Sequence, residues 1–195
     1  MNIDTLLQYL NAYGYWIIIV FLFFGIVGIP APEESLLFLI GMLIDQRSLA
    51  FIPAFLSAFI GAFTGMLSAY MAGKYISSTF FGKYGKYVGF TEERWAKVNN
   101  KYIKNVRKTI IFGFYLPGIR QISPYFAGMN KISLLDFLFS SFLGTVLWTL
   151  PFILAGYYAG SAFHINPNYV PYLGLVFFLV FLLFVLVNFF KKRKA

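Results

Sequence analysis

The sequence predicts an all-α integral membrane protein: two opposed re-entrant helical hairpins in an inverted repeat, plus about three spanning helices. Three observations carry this prediction. Hydrophobic residues make up 59% of the 195-residue chain and charged residues only 12%, with mean hydropathy +0.73. A soluble domain carries about 25% charge, so this chain suits a bilayer. Several uncharged stretches reach the roughly 20 residues that a crossing helix needs. Two further apolar stretches, one in each half, are interrupted by proline, glycine and charge. Such interruptions are tolerated at membrane depth where backbone is buried in protein or lines a wet cavity.

Composition also excludes chemistry. Cysteine is absent, which removes disulfides, thiolate metal sites and cysteine nucleophiles. One histidine, His164, leaves little material for a zinc site or a histidine triad, and its neighbours Asn166, Pro167 and Asn168 favour a solvated outer turn. The net charge of +9 does not call for nucleic acid, because Lys and Arg gather where the positive-inside rule places them beside anionic lipid.

The first half covers residues 14–73. Tyr15 to Ile29 is too short to cross comfortably. Pro30-Ala31-Pro32-Glu33-Glu34-Ser35 then breaks it, and Leu36 to Ile44 resumes. Ser48 to Gly73 has no charge and reads as the first spanning helix. Its Ser57, Gly61, Gly65, Ala69 and Gly73 recur every fourth position, beside Ala50, Ala54, Ala58 and Ala62. Such small residues let helix backbones approach in lipid, so the stripe reads as packing. Residues 74–108 hold nine Lys/Arg against Glu92 and Glu93 and read as a basic amphipathic segment on the cytoplasmic surface. The second half covers 109–163. Thr109 to Leu116 is followed by Pro117-Gly118-Ile119-Arg120, then by Gln121 to Met129, and Phe137 to Phe163 spans after Asp136 and Lys131. Residues 169–190 form a C-terminal span stopped by Lys191, Lys192, Arg193 and Lys194.

With the basic segment and tail inside, the N-terminus lies outside, the first hairpin opens outward and the second inward. Reading Tyr15 to Ile44 as one kinked crossing would instead put the N-terminus inside. The first residues lack a basic stretch and carry Asp4, so no removable signal peptide is expected there. Short, interrupted segments in corresponding positions of two halves point to a transporter with a midplane site.

An ionisable group at bilayer depth costs about 2.5–3.5 kcal/mol on insertion scales. Glu33 and Glu34 at the first break and Arg120 just past the second therefore need a reason. The acids could simply meet the positive end of the following helix's dipole, and Arg120 could partner one of them. The functional reading is that Arg120 and nearby helix N-termini receive an anionic headgroup, while a glutamate exchanges a proton. Pro117 and Gly118 would hold the bend that aims Arg120 at a cavity. Gln121, Ser123 and Tyr125 would add polar contacts, or equally make helix–helix hydrogen bonds. Asp45 and Arg47 are expected at the solvated outer end of the first hairpin. Trp148 and many tyrosines and phenylalanines are expected to meet lipid. No Walker loop, paired-histidine set or nucleophile elbow occurs, so enzymatic chemistry and cofactors are not expected.

Several of these residues resemble the DedA (SNARE-associated, VTT) membrane family. The resemblance rests on Gly28-Ile29-Pro30-Ala31-Pro32-Glu33-Glu34 with Gly41, and on Tyr115-Leu116-Pro117-Gly118-Ile119-Arg120 followed by Ala127-Gly128-Met129. Gly144, Trp148, Gly156-Tyr157 and Gly160 complete it. It implies two facing re-entrant hairpins and a lipid-translocating role in the cell membrane, with undecaprenyl phosphate or a phospholipid as the lipid moved. The family's first acid falls on Glu34 and its second arginine on Arg120. Phe114 stands where the family carries a first arginine, and Gly25 and Met66 where further acids are common, as in the shorter Gram-positive branch. The partners implied are a membrane lipid substrate, undecaprenyl phosphate or phosphatidylethanolamine, and the anionic lipid surface; a homo-oligomer is compatible with the sequence. A non-transporting scaffold that recruits a partner through its basic segment is the reading from another class.

Overall fold

Prolines and glycines punctuate this chain, and its helices start and stop around them. The computed structural model describes residues 3–29, 31–75, 105–116 and 118–163, with side chains from Tyr13 onward. Most of the basic segment, Pro117, His164 and the predicted span at 169–190 lie outside the described residues. Within them the secondary structure is helical throughout: α1 Ile3–Val27, α2 Glu33–Asp45, α3 Phe51–Tyr75, α4 Val106–Gly113, α5 Ile119–Met129 and α6 Leu134–Phe163.

Two of these, α3 and α6, are long and apolar enough to cross a bilayer, with mean hydropathies of 1.7 and 1.8 over their span windows. At 1.5 Å per residue they reach about 37 and 45 Å, more than a hydrocarbon core of about 30 Å. Both predicted breaks are present, α1 to α2 and α4 to α5. The bounds differ from expectation in a consistent way. The helix after the first break begins at Glu33, with the three polar residues Glu33, Glu34 and Ser35 included, because carboxylates in a first turn face the positive end of the helix dipole. In the same way α4 begins at Val106, inside the basic segment, since Arg and Lys are good helix formers.

The chain forms two units. The first takes α1 up to Ile18, α2, α3 up to Ala58 and α6 from Thr149; the second takes α1 from Ile19, α3 from Phe59, α4, α5 and α6 up to Trp148. In the first unit α2 lies on α6. A Cβ added at Gly41 would come closer than 3.0 Å to Ile153 O, Tyr157 N and Gly156 C, and one at Gly156 would meet the Phe38 backbone as closely. In the second unit α5 lies on α3 in the same register. There a Cβ at Gly128 would strike Tyr70 O, Lys74 N and Gly73 C, and one at Gly73 would strike the Tyr125 backbone. Each arm that follows a break thus packs on the spanning helix of the other sequence half.

The small-residue stripe of α3 is packing, as expected. Ala54, Ala58, Ala62 and Ala69 are buried, and Gly61 admits the Ile19 backbone; Ala50, expected in the same stripe, precedes the helix and is exposed. Phe142 on α6 meets Phe59 and Phe63 edge-on at 5.2 and 6.5 Å, and Tyr70 stacks on Phe137 at 4.3 Å.

Tyrosine hydroxyls serve backbone that helix ends expose, rather than only facing lipid. Tyr70 donates to Ile132 O at 2.6 Å and Tyr125 to Val27 O at 2.6 Å, near the C-terminus of α1. Tyr115 donates to Leu147 O. That carbonyl lacks its usual donor four residues on, because Pro151 within α6 has no N–H. Asp136, in the first turn of α6, is bridged by Arg107, a pairing that the sequence did not predict.

The two arms also end alike. Arg47 N donates to Ile44 O and Ser48 N to Leu43 O; Lys131 N donates to Gly128 O and Ile132 N to Ala127 O. Both are Schellman endings whose left-handed residue is usually glycine or asparagine. Here it is basic each time, Arg47 at φ 58° and Lys131 at φ 52°, at a cost of about 1–2 kcal/mol. A cation there does face the negative end of the helix dipole.

Candidate functional site

The second break assembles a buried arginine from local rules. Gly118 takes φ +88°, a left-handed value suited to glycine, and caps α5. Gln121 accepts the Gly118 N–H at 2.8 Å, as the third residue of a helix does in half a capping box. Ile119 N and Arg120 N both donate to Leu116 O at 3.1 Å. Arg120 therefore sits in the first turn of α5, and its side chain is 2% exposed. Its Nη1 donates to Phe114 O at 2.9 Å, at the carbonyl end of α4. The guanidinium carbon lies 4.7 Å from the centre of the Trp148 ring, and the Phe114 ring is 5.5 Å from the same ring. A helix C-terminus and an indole face both attract a cation, so the protein supplies two partly negative surfaces to a charge it keeps out of water.

Trp148 corrects the expectation that it meets lipid. It is fully buried, and hydropathy cannot tell a ring packed in protein from one in lipid. Its Nε1, with Ser140 Oγ and Ser141 Oγ, is buried without a hydrogen-bond partner among the described residues. Thr145, one turn on, bonds back to Ser141 O at 2.7 Å. The role of Trp148 beside Arg120 was missed from sequence, because a spacing within α6 does not say which distant segment packs on it. A Cβ at Gly144 would strike the Phe114 ring.

At the first break Pro32 caps α2, with Glu33 and Glu34 in its first turn. Glu33 is completely buried while Glu34 is half-buried. Helical phase explains the difference. Glu33 shares a face with Leu37, Ile40 and Ile44, all buried, whereas Glu34 is turned about 100° away. Burial thus singles out Glu33, where the family resemblance had pointed to Glu34.

The remaining predicted residues divide as follows. Ser123 is 3% exposed, Gln121 and Tyr125 are half-buried, and Gly118 is exposed. Gln121 and Tyr125 serve backbone groups as described. Glu33 and Glu34 belong to the first unit; Arg120, Gln121, Ser123 and Tyr125 belong to the second. Among the described residues, no group of three or more His, Asp or Glu side chains is placed to hold a metal ion.

Crossing-length apolar helices and ionisable side chains buried at paired helix breaks define an integral membrane protein. Residues 29–158 match the VTT domain, a stretch that runs from the first break to near the end of α6. The chain belongs to this family, the DedA family. It is 34% identical over 149 residues to the uncharacterized membrane protein YbfM of Bacillus subtilis, covering 76% of this chain and 92% of that one. It is 30% identical over 182 residues to protein DedA of Escherichia coli, covering 86% and 80%. It is 25% identical over 198 residues to undecaprenyl phosphate transporter A of B. subtilis, covering 99% and 96%. No solved structure matches the chain.

Proposed function

We propose that this protein is a multi-pass transporter of the cell membrane, with its C-terminus cytoplasmic, that moves a lipid with an anionic phosphate headgroup, undecaprenyl phosphate first among candidates. The observation that carries the reading is Arg120, a guanidinium buried in the first turn of a broken helix. An intramembrane arginine so placed suits phosphate, to which it can offer two parallel N–H donors. Glu33 has the matching place on α2, three residues after Pro30 as Arg120 is three after Pro117. The reciprocal packing of α2 on α6 and α5 on α3 supports two re-entrant hairpins in an inverted repeat. The near full-length similarity to an undecaprenyl phosphate transporter supports the choice of lipid.

In this mechanism the phosphate takes up the Arg120 donors as α5 opens, the polyprenyl tail stays in the bilayer, and a glutamate of the first break, Glu33 or Glu34, gates or carries a proton. The buried acid of α2 also favours a second reading, a phosphatidylethanolamine flippase or scramblase, since a carboxylate suits the lipid's ammonium. The test is lipid translocation in proteoliposomes holding undecaprenyl phosphate or phosphatidylethanolamine. Arg120→Gln keeps a donor for Phe114 O but no charge. It should remain folded and lose at least about tenfold in rate, the loss of one charged contact. Wild-type rates in a folded Arg120→Gln protein would reduce Arg120 to a structural cap, and movement of neither lipid by the unmodified protein would leave the non-transporting scaffold as the better reading.

A further inference from the structure

Away from Arg120, the first unit holds a cleft of about 590 Å³ at the end of α2, bounded among the described residues by Ile44, Arg47, Leu49 and Leu154 with Tyr157 and Tyr158. That is room for a headgroup and the first carbons of its chains, within the usual 300–1,000 Å³ of small-ligand sites. Its walls are aliphatic and its rim carries one cation and two phenols. The Arg47 side chain is exposed and has no ion pair or hydrogen bond among the described residues. Its backbone holds the left-handed turn that glycine would occupy without strain, so the chain keeps an arginine where local structure favours another residue. The rim is fixed from α1, where Tyr15 accepts the Ala50 N–H at 3.0 Å.

The place of the cleft identifies its occupant. It opens at Phe51, the first residue of the crossing-length α3, where a helix longer than the hydrocarbon core reaches the headgroups. Tyr157 and Tyr158 sit one to two turns from the described end of α6, and tyrosine concentrates at that level of a membrane. We propose that this cleft is a lipid site, taking the phosphate of an anionic bilayer phospholipid against Arg47 and the phenols, with the chains leaving along Ile44, Leu49 and Leu154. The site is independent of transport through Arg120.

The structure supplies its own control. Lys131 holds the same turn position at the end of α5, so lysine is tolerated in that geometry. The full-length protein in mild detergent is titrated with dioleoyl phosphatidylglycerol and followed by native mass spectrometry. Dioleoylglycerol, which has the chains without phosphate, and inorganic phosphate are run beside it. One phosphatidylglycerol should bind with an apparent Kd that rises at least about tenfold in Arg47→Gly. Binding should persist in Arg47→Lys and in Lys131→Gly. Glycine suits the turn, so an unchanged melting temperature in Arg47→Gly identifies the loss as one of binding. Wild-type affinity in Arg47→Gly would overturn the proposal, as would dioleoylglycerol binding as tightly as phosphatidylglycerol. Displacement of the lipid by equimolar inorganic phosphate would make the cleft a free-anion site and overturn it equally.

Discussion

Substituting alanine for Gly156 should separate α2 from α6. The new Cβ would lie closer than 3.0 Å to the carbonyl oxygen and carbon of Phe38 and 3.0 Å from its Cα. Ordinary carbon contacts sit at about 3.5–4.0 Å, and backbone cannot swing aside as a side chain can. The helices must part by something on the order of 1 Å. Overpacking costs about 1–3 kcal/mol, and contact with backbone this close falls in the upper part of that range, about 2–3 kcal/mol; replacing a mid-helix glycine returns about 1 kcal/mol of helix propensity, so the net loss is roughly 1–2 kcal/mol. For a chain of this size that lowers Tm by roughly 2–8 °C, measurable by fluorescence-detected size exclusion after heating in detergent. Gly113→Ala is the control, because its Cβ meets only the Ile119 side chain at 3.3 Å and should be close to neutral. Gly73→Ala meets the backbone of Tyr125 as Gly156→Ala meets that of Phe38, so its loss should match. If Gly156→Ala melted at or above the wild-type temperature, or if Gly73→Ala were silent while Gly156→Ala was not, the reciprocal seam would be refuted.

Two further predictions complete the set. Tyr115→Phe should cost about 0.6–1.7 kcal/mol, the range of hydrogen bonds inside membrane proteins, and much less in a Pro151→Ala background, where an intrahelical N–H again reaches Leu147 O; equal losses in both backgrounds, measured as a double-mutant cycle, would disprove the link. The Arg107–Asp136 bridge joins side chains that are 67% and 41% exposed, so Arg107→Ala should shift stability by no more than about 1 kcal/mol and by less at high salt; a larger, salt-independent change in thermal unfolding would contradict that.

The breaks were legible because proline deletes a backbone donor whatever surrounds it, so Pro30-Ala31-Pro32 and Pro117-Gly118 mark them directly. The crossing helices were legible from length and hydropathy. The starts of α2 and α4 were less so, because hydropathy counts Glu33 or Arg107 as an interruption, while a helix N-terminus accepts the acid and arginine is a good helix former. The choice between Glu33 and Glu34 was available in the helical phase of Leu37, Ile40 and Ile44. The placement of Trp148 under Arg120 was not available, since it depends on which distant segment arrives beside α6. The same holds for the reciprocal packing: Ala72-Gly73 and Ala155-Gly156 are visible as pairs, but not the arm that each receives.

That reciprocity sets an order of assembly. As the chain leaves the ribosome, Gly128 emerges after Gly73, so α5 forms with its seat on α3 already present. Gly41 emerges long before Gly156, and α2 must wait for nearly the whole of the second half before its own seat on α6 exists. A nascent chain stopped after Trp148 contains all of the second unit and lacks the part of α6 that the first requires. Arg120 thus lies in the arm that is seated first and Glu33 in the arm that is seated later, so the first arm is the one that stays longer without its partner during synthesis.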